Sequence, residues 1–107
     1  MRQGLKKMYG LIGKFKAKPG QRDALIASML DDDTPIPGCF SFVVACDPAD
    51  ADVVWITEVW ESQASHKASL EMPSVKESIA RAMPLIASFD QHVETVPVGG
   101  IGLPRSA

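Results

Sequence analysis

The sequence has 107 residues, a net charge of −2, 46% hydrophobic residues and 22% charged residues. These values predict one globular domain that spans residues 1–107. The near-neutral charge argues against nucleic-acid binding, and no apolar run approaches the ~20 residues that a membrane-spanning helix needs. The basic N-terminus has no uninterrupted apolar segment and no cleavage site, so the sequence favours a cytoplasmic protein.

The N-terminal third of the chain predicts a strand, a helix and a loop. Residues 8–16 alternate at a period of two, which predicts a strand that ends before Pro19 and Gly20. An apolar stripe predicts a helix over residues 22–30. Aspartates occupy positions 31–33, where we expect a solvated helix end rather than a cation site.

The middle of the chain predicts two strands and a helix. Residues 40–46 and 53–60 are apolar on both strand faces, and turn residues at 47–50 separate them. Both faces of the sheet are therefore expected to be shielded from water. Ser62 is suited to cap a helix that runs to about residue 72.

The two cysteines, Cys39 and Cys46, lie seven positions apart on one predicted strand. Side chains alternate between the faces of a strand, so this spacing predicts that the two thiols point to opposite faces. We therefore expect no disulfide between them and two reduced cysteines, as is usual in the cytoplasm.

The C-terminal part predicts a second, interrupted helix and a last strand. Residues 74–77 form a Ser-x-x-Glu capping box, which predicts the start of a helix. Its apolar stripe continues to Ile86, and Pro84 is expected to kink or restart the helix. A short strand is predicted over residues 91–96, followed by an irregular tail at 97–107.

The order of these elements is β-α-β-β-α-β with the second helix broken in two. It predicts an α+β fold of the ferredoxin-like split βαβ type with an antiparallel sheet. Helices in such a fold cover only one face of the sheet, so the second apolar face would be bare in a single chain. We therefore expect a homodimer that forms through the open sheet faces.

Three side chains near the end of the third strand are candidates for a small-molecule pocket. Glu58 and Trp60 share one strand face, and His66 lies on the inner side of the next helix. Histidine can act as a general base near neutral pH. Structural alternatives stay open, namely an edge carboxylate paired with lysine or arginine, a core aromatic ring and a hydrogen-bonded core histidine.

Motifs of other catalytic classes are missing from the sequence. It contains no P-loop, no GxSxG and no HExxH, and the glycines at 99–102 are followed by too few residues for a dinucleotide-binding helix. Two histidines and two separated cysteines do not form the ligand pattern of a zinc site. We therefore expect no metal.

Several short segments resemble the antibiotic biosynthesis monooxygenase family, and within it the small quinol monooxygenases. Their order and spacing carry the resemblance over most of the chain, at residues 18–20, 37–39, 47–48, 58–62, 66–70, 84–86 and 96–100. The resemblance implies a dimeric α+β barrel. It also implies oxidation of a small aromatic quinol or phenol by O2 without metal, flavin or haem.

The resemblance also implies roles for individual residues. His66 matches the family's histidine and would be the catalytic base, with Glu58 as the second catalytic candidate. Trp60 matches the family's tryptophan and would stack on the substrate ring. We predict Phe42 and Leu70 as further substrate-binding residues. The chain contains no asparagine, which argues against the haem-degrading branch. Two other functions stay open: a non-catalytic dimeric binding protein for a small aromatic or hydrophobic ligand, and an isomerase acting on an enolisable substrate.

Overall fold

The computed structural model describes residues 7–104. Its elements follow the predicted order: β1 (Tyr9–Ala17), α1 (Arg22–Leu30), β2 (Cys39–Cys46), β3 (Val53–Trp60), α2 (Gln63–Ser69), α3 (Pro73–Ala82), a 3-10 helix (Met83–Leu85) and β4 (Ile86–Thr95). The strands form a four-stranded antiparallel sheet in the order β2-β3-β1-β4. This is the topology of the ferredoxin-like split βαβ fold, so the predicted fold class is confirmed.

The helices pack on one side of the sheet, which we call the helix-covered face. In the central strands β1 and β3 this face consists of Tyr9, Leu11, Phe15, Val54, Ile56, Glu58 and Trp60. The β1–β3 register pairs Tyr9 with Trp60 and Leu11 with Glu58, which confirms the alternation predicted for β1. Leu25 of α1 and Val54 are fully buried here, and Ala82 of α3 belongs to the same core cluster.

The opposite side of the sheet, which we call the open face, carries a largely apolar row. Val43, Thr57, Ile12 and Val93 are register partners across the four strands. Val43 is 52% exposed and Val93 is 44% exposed. The predicted second apolar face is therefore present, and the helices of residues 7–104 leave this row uncovered.

The helices agree with the predictions at three of their boundaries and differ at two. Helix α1 has the predicted bounds, and Ser62 caps α2 by accepting a hydrogen bond of 3.1 Å from the Ser65 backbone N–H. Helix α2 ends at Ser69, earlier than expected. The prediction that residues 74–77 form a capping box is wrong, because α3 already begins at Pro73, whose fixed φ suits the first helical position.

In the described part of the chain no helix is long and apolar enough to cross a membrane.

The last strand is longer than predicted. Pro84 interrupts the helical pattern as expected, but β4 begins at Ile86 and not at residue 91. Pairing with β1 continues through two register shifts, which keep residues 86–90 in the sheet. Ile86 packs against the core as the first residue of a strand. Its spacing from the apolar residues of α3 matched a helical stripe by coincidence, so the predicted extension of the helix to Ile86 is wrong.

A bulge in β2 overturns the prediction that the two cysteines face opposite sides. The register shifts between Cys39 and Ser41, so that Cys39 pairs with Trp60 and Cys46 pairs with Val54. Trp60 and Val54 lie on the same face of β3, because they are separated by an even number of residues. An extra residue in one strand inverts the alternation beyond it. The thiols are both free, as predicted, and lie at opposite ends of the strand.

Candidate active site

A cavity of about 570 Å³ lies between the helix-covered face and the helices. Phe15 and Ile56 form part of its floor, and Met29, Val75 and Ile79 form part of its helical wall. A mostly apolar cavity of this size is typical of a site for a small organic molecule. The five predicted site residues all line this one cavity: Phe42, Glu58, Trp60, His66 and Leu70.

Glu58 and Trp60 form a hydrogen-bonded pair on the cavity floor. Strand β3 holds both side chains on the helix-covered face, and Trp60 Nε1 donates to Glu58 Oε1 over 2.8 Å. Trp60 is only 3% exposed, while Glu58 is half-buried. Within residues 7–104 the partner of Glu58 is therefore an indole and not the lysine or arginine of the structural alternative. The indole fixes one carboxylate oxygen and leaves the other available to a ligand.

His66 faces the cavity from α2, which confirms its predicted inward position. Its ring meets the Trp60 ring edge-on at a centroid distance of 5.2 Å, and it lies 5.6 Å from the Tyr9 ring. The capped first turn of α2 fixes this position, since the His66 backbone N–H donates to the Ser62 carbonyl over 3.3 Å. A carboxylate, an indole N–H and an imidazole therefore meet in one apolar cavity.

Gly38 allows the start of β2 to approach α2 closely. Its φ is +79°, and a Cβ at this position would lie 2.6 Å from the Ser65 side chain. Only glycine combines this backbone conformation with that proximity. The Gly38 carbonyl also accepts a hydrogen bond from the Glu61 backbone N–H, so the segment between β3 and α2 is held against β2. The turn that positions His66 depends on this glycine.

Tyr9 is a neighbour of the site that the sequence prediction missed. It does not line the cavity, but its ring contacts His66 and its hydroxyl donates a hydrogen bond to Glu94 Oε2 on β4. This hydrogen bond to a carboxylate is the main reason that the pKa of Tyr9 is raised above 10.0, and burial adds to it. The available signal was the antiparallel pairing of β1 with β3, which sets Tyr9 opposite Trp60.

Cys39 is a second lining residue that the prediction missed, because the bulge in β2 turns it towards the cavity. Burial raises the pKa of the Cys39 thiol, and the negative charge of Glu58 raises it further. A protonated thiol is a poor nucleophile. Cys39 is therefore suited to packing against a ligand rather than to covalent catalysis.

Phe42 and Leu70 lie where the cavity meets the solvent. Phe42 is 41% exposed on β2, and Leu70 is 39% exposed just after α2. Large apolar side chains that are exposed around a cavity favour contact with an apolar ligand. Both positions suit the substrate-contacting role expected of them.

The aspartates that follow α1 are engaged in local interactions. Asp31 pairs with Arg81 over 3.1 Å, and Asp32 accepts hydrogen bonds from the backbone and hydroxyl of Thr34. Those two hydrogen bonds lower the pKa of Asp32. Within residues 7–104 no group of three or more histidine, cysteine and acidic side chains is arranged to hold a metal ion.

Comparison with protein families agrees with the observed fold. The family model described as "Antibiotic biosynthesis monooxygenase" matches residues 8–81. This match covers more than half of the chain, so the chain belongs to the antibiotic biosynthesis monooxygenase family. No curated protein sequence matches the chain.

Solved structures support the same assignment. A Chloroflexus aurantiacus protein, provisionally named an antibiotic biosynthesis monooxygenase, is 62% identical to this chain with a TM-score of 0.87, covering 91% of this chain and 99% of that one. A Pseudomonas aeruginosa protein shares the fold at 16% identity and a TM-score of 0.76, covering 89% of this chain and 98% of that one. A Caulobacter crescentus protein with the same provisional name shares it at 19% identity and a TM-score of 0.72, covering 85% and 88%.

Proposed function

We propose that this protein is a cofactor-independent monooxygenase that oxidises a small aromatic quinol or phenol with O2. The observation that carries the proposal is the meeting of Glu58, Trp60 and His66 in one apolar cavity. Membership of the antibiotic biosynthesis monooxygenase family supports a monooxygenase-like role. The small quinol monooxygenases are the subgroup to which we assign it.

The reaction needs few protein groups, because an electron-rich phenolate can itself reduce O2. A base removes the phenolic proton, and the phenolate passes one electron to O2 to give an aryloxyl radical and superoxide. These combine at a ring carbon, the base returns its proton to the resulting peroxide, and loss of water leaves a new oxygen on the ring. One quinol and one O2 thus give one hydroxyquinone and one water. The cavity's part is to bind, deprotonate and exclude bulk water.

We assign the removal of the proton from one hydroxyl of a quinol to His66, and the positioning of its second hydroxyl to Glu58. An imidazole transfers protons efficiently near neutral pH, and a carboxylate oxygen that is free on one side can accept a hydrogen bond from a phenol. Trp60, Phe42 and Leu70 supply apolar contact with the ring. Glu58 is the alternative base if His66 is not required.

We further propose that two copies pair through their open faces to form a dimeric α+β barrel. The support is the largely apolar row on that face, where Ile12 lies beside Val93 and Thr57 separates it from Val43. Burying this row against a second copy would remove apolar surface from water. Light scattering coupled to size exclusion tests this: a dimer is expected, and a monomer at micromolar concentration would contradict it.

Oxygen uptake by purified, metal-stripped protein with a panel of quinols tests the proposed function. Uptake above the non-enzymatic rate is expected for at least one quinol. Tight binding of aromatic ligands without oxygen uptake would indicate a binding protein instead. Turnover that persists without oxygen would indicate an isomerase.

A further inference from the structure

Among residues 7–104, the side chains of fixed charge that line the cavity are all acidic. Glu58 lies on the floor, and Asp32 and Asp33 lie on the lining near the end of α1. Among residues 7–104 no lysine or arginine lines the cavity. His66 is the one lining side chain of this part of the chain that can become positive, and its ring lies against Trp60.

Arg81, a cation on the helix α3 that forms part of the cavity wall, is already paired. Arg81 of α3 binds Asp31 and Glu77 at 3.1 Å each, and it is not part of the lining. A ligand carboxylate or phosphate inside the cavity would thus lose its hydration without gaining a cationic partner. Removing an ion from water without pairing it is unfavourable, and like charges nearby add repulsion.

The same groups favour a neutral hydrogen-bond donor. Glu58 Oε1 accepts from Trp60, and no donor among residues 7–104 reaches Glu58 Oε2. A hydroxyl group on a ligand can donate to that oxygen, and hydrogen bonds to a charged acceptor are among the stronger ones. The remaining floor around Glu58 is apolar, with Phe42 and Ile56 beside it.

We propose that the cavity selects uncharged hydroxyarenes, whose hydroxyl donates to Glu58, and rejects hydroxyarenes that carry a carboxylate or phosphate. This selectivity rests on the proposed function and narrows its substrate class. The negative charge of Glu58, which lies inside the cavity, is the main source of this selectivity. Asp32 and Asp33 contribute less, because they are exposed and solvent screens their charges.

Three ligands that share one bicyclic scaffold distinguish the effect of ligand charge on binding from the effect of ligand size. We would titrate the intact protein at pH 8 with 2-naphthol, 6-hydroxy-2-naphthamide and 6-hydroxy-2-naphthoate, following binding by fluorescence. The amide is expected to bind within about threefold of naphthol, and the carboxylate about tenfold or more weakly than the amide, because the carboxylate meets the charge of Glu58. The amide matches the carboxylate in size and shape and differs from it in charge and in its N–H donors, so the Glu58→Gln variant is needed to isolate the effect of charge.

Two variants show whether the selectivity comes from Glu58. Glu58→Gln keeps the shape of the side chain and removes its charge. The ratio of the affinity for the amide to the affinity for the carboxylate should therefore fall at least about threefold. Asp23→Asn is the matched control, because it removes one exposed carboxylate from the first turn of α1, outside the cavity lining. It should leave the ratio unchanged.

The outcomes distinguish this inference from the proposed function. If the carboxylate binds as tightly as the amide, the charge selection is wrong and the oxygenase proposal stands. If none of the three ligands binds, the charge-selection proposal is wrong for this scaffold, and the proposed function is decided by the oxygen-uptake assay with the quinol panel. An equal fall of the ratio in Glu58→Gln and Asp23→Asn would show that net charge, not the cavity, sets the preference.

Discussion

Trp60 Nε1 donates a hydrogen bond of 2.8 Å to Oε1 of Glu58, two residues earlier on the same face of β3. The indole thereby fixes a carboxylate on the floor of an otherwise largely apolar cavity. The buried Trp60 ring and the half-buried Glu58 carboxylate are thus linked by this hydrogen bond. Loss of the N–H group should affect both stability and ligand binding.

Trp60→Phe tests this arrangement. The change removes the hydrogen bond to Glu58 and some ring contact, so the free energy of unfolding should fall by about 1–3 kcal/mol. Turnover or aromatic-ligand affinity should fall as well, because the carboxylate loses its fixed orientation. Denaturant melts and ligand titrations measure the two effects.

Trp55→Phe is the matched control for that change. Trp55 Nε1 also donates to a carboxylate over 2.8 Å, in this case Asp47 Oδ1, but neither residue lines the cavity. Stability should fall here too, with binding and turnover unchanged. An equal loss of function in both variants would show that the Trp60–Glu58 pair has no special role.

His66→Ala tests the catalytic base. If His66 removes the phenolic proton, kcat should fall by about 10²–10⁴, while KM changes less, because the base acts mainly in the transition state. His92→Ala, at an exposed position on β4 outside the lining, should leave kcat unchanged. A folded His66→Ala protein with undiminished turnover would remove His66 from the mechanism and leave Glu58 as the base.

Cys39 offers a chemical probe of the cavity. Its raised pKa, due to burial and then to Glu58, should make it react with iodoacetamide more slowly than the exposed Cys46. Bound 2-naphthol should slow Cys39 further and leave Cys46 unaffected. Glu58→Gln should accelerate Cys39, because it removes the charge that disfavours the thiolate. Peptide mass spectrometry measures both rates, and equal rates at both sites would contradict this placement.

Tyr9 is the single tyrosine of the chain, so phenolate absorbance reports on it alone. The hydrogen bond to Glu94 raises its pKa, so the midpoint should lie above 10.0 in the folded protein. Glu94→Gln should move the midpoint down towards 10.0. A raised pKa means that the stabilisation from this contact is complete below pH 10.0 and is lost as the pH rises through the folded value. An unchanged midpoint in Glu94→Gln would contradict the contact.

Local patterns predicted most of the fold, because they report directly on which side of an element is buried. The alternation in β1, the stripe in α1 and the Ser62 cap are each formed by residues only a few positions apart along the chain. The grouping of Glu58, Trp60 and His66 was predictable for the same reason, since one strand end and the next helix carry all three.

The errors arise where distant parts of the chain decide the outcome. The bulge between Cys39 and Ser41 depends on how β2 pairs with β3, and it reverses which way Cys39 points. The early start of β4 depends on register shifts against β1. Tyr9 reaches the site only through strand pairing with β3. A single segment carries no signal for these three features.

Incorporation of ¹⁸O from ¹⁸O2 tests the central proposal most directly. Purified, metal-stripped protein would be incubated with a quinol that supports oxygen uptake. The reaction would be quenched quickly, and the mass of the product would be measured by mass spectrometry. We expect one ¹⁸O atom in each product molecule, one O2 consumed for each quinol, and no accumulation of hydrogen peroxide. Unlabelled quinone formed together with one hydrogen peroxide per O2 would contradict a monooxygenase.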